Sequence, residues 1–493
     1  MPTLPGPSSP ALTPAHGVLL LAVFGAVMFA LTVALSGAER SDTEAFLVAN
    51  RRTSVGVGAL SIAATWIWAP ALFVSSQQAY QHGVAGVFWF VAPNVAALVL
   101  FGFVAARIRR AFPEGYTLPQ LIEQRYGPRV HAAYLVGFLG LQVCSLAVQL
   151  VAGALTLERL TGLGYAAGVA GLAAVLLSYS LVSGLRASLL TDVLQMTMIL
   201  GIVALAVPWT VSAAGGWGAI EGGLRGVSRV SGVFDAKVAW SYGVVMTLGL
   251  LAGPLGDQMH WQRAFALPER SVRPAFLLGA AVFAVVPLAL ALLGFVAAAR
   301  VASEGWIVAD PQLAGYVAVE RLGPSWLTIG FVVMLLCGLA STGDSALCAA
   351  SSLVAVDVHA RYLSPSPSAA STLRVMRWTM VALSVAAVAI AWLRIPILWL
   401  FLFYGSLRAA YLLPTLLTLY APRWVDARGM LAGVVGALVI GLPLFVYGAL
   451  TKQPDWQVAG TCTLVALSGS LAVVVRARRR RQLEPPAPAE APS

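Results

Sequence analysis

Leu60-Ser61-Ile62-Ala63-Ala64-Thr65-Trp66-Ile67-Trp68-Ala69-Pro70 and Gly253-Pro254-Leu255-Gly256-Asp257-Gln258 are two stretches broken in the interior of apolar segments. Proline has no N–H for the carbonyl four residues back, and its ring displaces that carbonyl. Pro70 should therefore free the oxygen of Trp66, and Pro254 that of Leu250, while Gly253 and Gly256 loosen the second break further. In hydrocarbon a freed carbonyl must be satisfied by a ligand, by cavity water or by a neighbouring helix. The surroundings of the two breaks decide whether that constraint applies.

Those surroundings are apolar along almost the whole chain. Its 493 residues are 59% hydrophobic and 10% charged, beyond the roughly 45–50% apolar content of a soluble domain. Apolar runs recur that are long enough, at 1.5 Å per residue, to cross a hydrocarbon core of roughly 30 Å. They predict thirteen spans, near 17–37, 55–79, 85–108, 132–156, 165–184, 187–212, 238–261, 274–299, 326–355, 375–393, 396–420, 429–449 and 456–475. The breaks fall in the second and seventh, five spans apart. Two inverted five-helix repeats, each opening on an interrupted helix that binds substrate and ion, would give this spacing. Taken singly, either proline reads equally well as an ordinary membrane kink.

With the N-terminus outside, the gaps on the cytoplasmic side, the tail, and Arg107 and Arg377 at the inner ends of their spans make up 22 of the 31 Lys and Arg residues and the outer segments carry 8; Arg408 lies within a span. That bias orients a multi-pass inner-membrane protein with a cytoplasmic C-terminus. The net charge of +11 thus reads as topology and not as a nucleic-acid surface. Residues 1–16 read as an extracytoplasmic tail and 17–37 as a peripheral first helix, since the first stretch lacks a basic signal-peptide start. Two peripheral helices fill 429–475. Residues 476–493, opening on Arg476 and Arg478 to Arg481 and turning Pro/Ala/Glu-rich, read as a disordered tail that at most touches anionic headgroups. Cys144, Cys337, Cys348 and Cys462 all fall in apolar segments without CxxC spacing, which argues against disulfides and metal sites. No GxSxG, P-loop or HExxH pattern appears, so an enzyme is not expected.

An ionisable residue within a span costs about 2.5–3.5 kcal/mol on the insertion scale and is a functional candidate by default. Asp192, Asp257, Asp344 and Arg408 are such residues. An ion pair between an acid and Arg408 that merely ties helices together is the bland alternative; Asp192 has no obvious partner in the sequence. Gln142, Ser145 and Gln149 share one helical face, which either lines a polar path or bonds a neighbouring helix. Gly338, Ser341 and Thr342 stand at i, i+3 and i+4, so one carbonyl and two hydroxyls converge on one side of a helix. Freed carbonyls near Ala64 and Ile67 would complete an oxygen shell for a hard cation, although such hydroxyls also bond back to their own helix.

Several strings resemble the sodium:solute symporter family, in family order across roughly residues 44 to 440. They are Glu44 to Arg52 before the first break, Thr117 to Gly127, Ser183-Gly184-Leu185-Arg186-Ala187 with Thr191-Asp192, Gln262-Arg263-Ala264, and Ser341-Thr342-Gly343-Asp344-Ser345. The resemblance implies an all-α membrane protein with a leucine-transporter-like core of two inverted five-helix repeats. Here the core would cover 55–420, with repeats at about 55–212 and 238–420. By motif match the family's sodium site falls on the carbonyls of Ala64, Ile67 and Gly338 and the hydroxyls of Ser341 and Thr342. Asp192 matches an acidic residue on the ion route, and Asp344 beside the hydroxyl pair raises a proton as a rival coupling ion.

The resemblance further implies secondary active symport, with sodium entering alongside a small polar solute by alternating access. No resident cofactor is implied. Trp66 stands where proline carriers have a carboxylate, and the polar residues of sugar carriers are missing. Thr65 to Ala69, Val87-Phe88-Trp89-Phe90 and Asp257 to Gln262 look most like the urea-transporting branch. Tryptophan faces could sandwich planar urea while Asp257 accepts from its N–H groups, or hold an organic cation by cation–π attraction. The candidate solute residues are Trp66, Trp68, Trp89, Gln149, Asp257, Gln258, Trp261 and Arg408. Proton-coupled uptake of another solute, and a sensor that binds without transport, are the competing expectations.

Overall fold

The computed structural model describes residues 12–36, 43–182, 184–364 and 366–483, with backbone alone for Ser36 and 478–483. Ser183, residues 1–11 of the expected N-terminal tail and 484–493 of the expected C-terminal tail lie outside these. The main helices are α1 (Pro14–Ser36), α2 (Val55–Trp66), α3 (Ala69–Ala111), α4 (Pro128–Thr161), α5 (Tyr165–Ser180), α6 (Leu185–Ala213), α7 (Ala236–Ala252), α8 (Gln258–Ala266), α9 (Glu269–Glu304), α10 (Ser325–Leu353), α11 (Ala369–Ala391), α12 (Ile397–Tyr420), α13 (Ala427–Leu450) and α14 (Pro454–Leu483).

Among the described residues ten helices are long and apolar enough to cross a membrane. The shorter apolar helices α2, α5 and α7 lie where the sequence places the second, fifth and seventh spans. Helices close their own backbone hydrogen bonds, which is why an apolar chain of this kind folds as helices throughout. One expectation is borne out and one is corrected. The predicted second and third spans are separate helices, meeting at a sharp break at Gly83 (φ 61°, ψ −143°) inside Ala69–Ala111. A glycine permits that left-handed turn, and the 224–227 loop docks on it through Val84 N–H to Leu224 O at 2.8 Å and Val227 N–H to Tyr80 O at 2.8 Å. The predicted disordered tail is in part helix, because α14 continues to Leu483.

Both interrupted helices lie at the centre. α9 runs along α3 and against α2, and α10 packs on α4, α6, α2 and α8. Apolar side chains such as Leu19, Val136 and Val439 are exposed on the outer face, as a lipid-facing surface requires. The polar side chains named above turn inward.

Candidate solute and ion site

The two breaks face each other. A methyl group at Gly253 would fall 2.6 Å from the Trp66 ring and 3.3 Å from Arg408 Nη1, so only glycine lets the second break approach the first this closely. At the first break the Ile67 N–H closes on Ala63 O at 2.8 Å and the Ala71 N–H turns to Trp68 O at 2.9 Å. Among the described residues the carbonyls of Ala64, Trp66 and Ile67 are left without a backbone donor. The Ala69 N–H, orphaned at the start of α3, donates to Gln149 Oε1 at 3.0 Å. The second break differs from expectation: Leu250 O is not free but accepts from the Gly253 N–H at 2.9 Å, because the chain tightens into a turn where Pro254 withholds its donor. Trp261 Nε1 takes Leu255 O at 3.0 Å.

Asp257, at the N-terminus of α8, and Arg408 of α12 form an ion pair in which both side chains are buried. Asp257 Oδ2 accepts from Tyr404 Oη at 2.5 Å, and Oδ1 accepts from Gln142 Nε2 at 3.1 Å and the Met259 N–H at 3.0 Å. The Arg408 guanidinium lies 3.5 Å from the Tyr404 ring centroid and 5.8 Å from those of Trp66 and Trp68. Polar atoms around the pair are buried without partners: Arg408 Nε and Nη1, Trp66 Nε1, Gln142 Oε1, Ser145 Oγ and both ring nitrogens of His260. His260 stands edge-on to Trp66 at 4.8 Å. Buried polar groups are rarely left unmade. A cluster offering both donors and acceptors matches a ligand that carries both.

The residues expected to hold an ion gather where α2, α6 and α10 meet. Thr342 Oγ1 donates to Thr65 O at 3.2 Å, and a methyl at Gly338 would meet Ile67 O at 3.1 Å, so α10 is seated against the freed carbonyls of α2. Ser341 Oγ donates to Asp192 Oδ1 at 2.5 Å. Asp192 does have a partner, contrary to the sequence reading: Arg263 of α8, Nη2 to Oδ2 at 2.8 Å, with both side chains fully buried. The sequence reading counts Arg263 among the loop arginines that set topology, because the nine-residue α8 directly after a break is too short to look like a span. Asp344 accepts from Ser180 Oγ at 2.5 Å and has no ion pair among the described residues.

Trp66, Trp68, Asp257 and Arg408 thus come together, and Gln149 joins them by propping the first break. Three solute candidates do not. Trp89 packs on Phe88 and Phe234 with ring centroids 5.3 and 6.4 Å away, Trp261 serves the turn at Leu255, and Gln258 Nε2 points to Tyr116 O at 2.9 Å. Tyr116 lines a cavity of about 690 Å³ with Glu123, Asp357 and Arg361. Its hydroxyl donates to Glu44 at 2.6 Å, and Arg51 reaches Glu44 at 3.1 Å. Burial first, then the Glu44 carboxylate, pushes the Tyr116 hydroxyl up to about 12, so it remains a donor at physiological pH. Gln142 faces the pair as the helical spacing predicts. His260 and Tyr404 escape the sequence reading, since nothing local marks their approach.

Residues 46–436 match the sodium:solute symporter family. The Urea-proton symporter DUR3 of Oryza sativa subsp. japonica is 25% identical over 480 residues, covering 89% of this chain and 66% of the relative. The chain therefore spans just under two thirds of the length of that relative. The Sodium/pantothenate symporter of Haemophilus influenzae is 26% identical over 454 residues, covering 87% of this chain and 88% of the relative. Among solved structures, a Na+-coupled sialic acid symporter in its substrate-bound outward-open state superposes with a TM-score of 0.75 at 14% identity, covering 93% of this chain and 97% of the other.

Proposed function

Because this chain belongs to the sodium:solute symporter family, we propose that it is a secondary active symporter coupling inward sodium flow to uptake of a small neutral solute, urea or a similar amide. The fold is all-α and leucine-transporter-like, and the protein is a multi-pass membrane transporter, not an enzyme. Orientation with the C-terminus in the cytoplasm follows the Lys and Arg bias.

One observation carries the choice of solute: the buried Asp257–Arg408 pair with unpartnered donors and acceptors around it. The pair is neutral as a unit, so a charged ligand would bring an uncompensated charge into a low-dielectric site. A neutral diamide does not. Its carbonyl would accept from the unpartnered Arg408 Nη1 and Trp66 Nε1, and its N–H groups would donate to the unpartnered Gln142 Oε1. Rice DUR3 is named as a urea symporter, which supports the same class. Sodium is assigned to the carbonyls of Ala64, Ile67 and Gly338 and the hydroxyls of Ser341 and Thr342, a hard-oxygen set of the kind such a cation takes. Asp192, which accepts from Ser341 Oγ at 2.5 Å, and Asp344 are proposed for the ion pathway.

Proton coupling is the second reading. It is favoured by the name of the rice relative and by Asp344, a buried carboxylate with a hydroxyl donor and no cationic partner among the described residues. A panel of labelled solutes tests the assignment. Urea and close amides should be taken up and should compete with one another, whereas choline and proline should not. Saturable uptake of an organic cation with no response to urea would overturn the reading of the Asp257–Arg408 site.

A further inference from the structure

Two arginines face outward near the start of α11 with no carboxylate to answer them. Arg374, Arg377 and Trp378 stand at i, i+3 and i+4, so they share one side of the helix, and all three are exposed. With Leu181, Leu373 and Val381 they line a groove of about 650 Å³ between α11 and the end of α5. Arg377 Nε donates to Leu181 O at 3.2 Å, which ties one wall of the groove to the other. Among the described residues neither arginine has an ion pair, and Arg374 has no hydrogen bond either. The sequence explains this isolation: no Asp or Glu occurs between residues 159 and 191 or between 358 and 425, the stretches that build both walls.

The 23 residues of α11 reach about 35 Å at 1.5 Å per residue, little more than a hydrocarbon core of roughly 30 Å. Arg374 and Arg377, in its second and third turns, therefore start at the edge of the hydrocarbon. Side chains lean toward the N-terminus of their helix, here the near interface, so apolar stems can carry the guanidinium groups to headgroup level. Trp378 is the aromatic residue typical of that depth. Val381 and Val385, the latter 66% exposed, continue the same face toward the middle of the helix.

We propose that this groove binds one anionic phospholipid, its phosphate held by Arg374 and Arg377, its glycerol against Trp378 and an acyl chain along Val381 and Val385. Charge complementarity selects the occupant. Two positive charges without a negative one call for a net anion, whereas a zwitterionic lipid would bring its own cation against the arginines. On the orientation proposed above, the groove opens to the cytoplasmic leaflet, where anionic lipids attract basic side chains. The site depends on neither the solute nor the coupling ion.

The test titrates the purified full chain in detergent with phosphatidylglycerol or with phosphatidylcholine of the same acyl chains, and counts bound lipid by native mass spectrometry. Wild type should retain one phosphatidylglycerol that phosphatidylcholine does not displace. Arg374→Gln/Arg377→Gln should weaken that binding about thirty-fold, for two lost charge contacts. Arg374→Lys/Arg377→Lys keeps both charges and should stay close to wild type. The control Arg423→Gln/Arg428→Gln removes two exposed arginines ahead of and within the first turn of α13 and should change nothing. Equal weakening in the two glutamine pairs would reduce the effect to overall charge and overturn the proposal, as would undiminished phosphatidylglycerol binding in Arg374→Gln/Arg377→Gln. A wild-type dimer that this variant splits while lipid retention is unchanged would seat a second copy in the groove and overturn it too. Should the pair variant fail to fold, Arg374→Gln alone decides, since it leaves the bond from Arg377 to Leu181 in place: a roughly five-fold loss supports the site, and no loss overturns it.

Discussion

At Ser341 a single hydroxyl serves two clusters, since it belongs to the proposed sodium shell and donates to Asp192 at 2.5 Å. A hydrogen bond to a charged group is worth about 1.5–3 kcal/mol, so Ser341→Ala is expected to raise the half-saturating sodium concentration roughly ten-fold or more. Ser76→Ala makes the matching control, because Ser76 Oγ donates only to Phe73 O one turn back; sodium titration of solute uptake should show no shift there. Equal effects at the two positions would remove Ser341 from the ion site. At Asp257 the issue is stability as well as binding. Breaking a buried ion pair by neutralising one partner costs roughly 3–5 kcal/mol, so Asp257→Asn should lower the melting temperature of the purified protein. Asp257→Asn/Arg408→Gln should recover most of that loss while leaving solute binding abolished. A double variant that still binds urea normally would dissociate the pair from the solute.

Between elements, the approach of α10 to the first break is set by a missing side chain. A side chain at Gly338 would meet Leu72 at 2.6 Å and Ile67 O at 3.1 Å. Gly338→Val should therefore push α10 off the freed carbonyls and abolish sodium stimulation, whereas Gly330→Val, where a methyl meets nothing within 4 Å, should be tolerated. Wild-type sodium stimulation in Gly338→Val, checked at equal protein level, would contradict the seating of α10. The breaks themselves are legible in the sequence because proline and glycine act locally: a missing N–H at Pro70 needs no tertiary context to be read. What happens to the freed carbonyls is not local. Leu250 O is recaptured by Gly253, and only the folded turn reveals it. The motif strings place Ser341, Thr342 and Asp192 together, but Arg263 hides as a loop arginine because α8 is shorter than a span. His260 and Tyr404 come beside the Asp257–Arg408 pair only through contacts across the fold, and Trp89, Trp261 and Gln258 pack elsewhere for the same reason. Aromatic composition carries no information about which face a ring turns to.

Over the whole molecule, two interrupted helices converge at the centre of a helical membrane bundle, where the proposed solute and cation sites stand side by side. On that proposal both fill before the bundle reopens. The membrane potential supplies about 2.3 kcal/mol per charge per 100 mV, which one sodium ion per solute would turn into accumulation. The cavity of about 690 Å³ lined by Tyr116, Asp357 and Arg361, with the Glu44–Tyr116–Arg51 cluster beside it, is the proposed release path. Tyr116→Phe removes the hydroxyl from Glu44 and should alter the rate of release while leaving the affinity for solute near wild type; a changed equilibrium affinity in a binding assay would place Tyr116 in the solute site instead. The most direct measurement is uptake of labelled urea into proteoliposomes under an imposed gradient of one ion at a time. The account predicts concentrative uptake driven by an inward sodium gradient at constant pH and increased by an inside-negative potential. Uptake that ignores sodium and follows an inward proton gradient would contradict it.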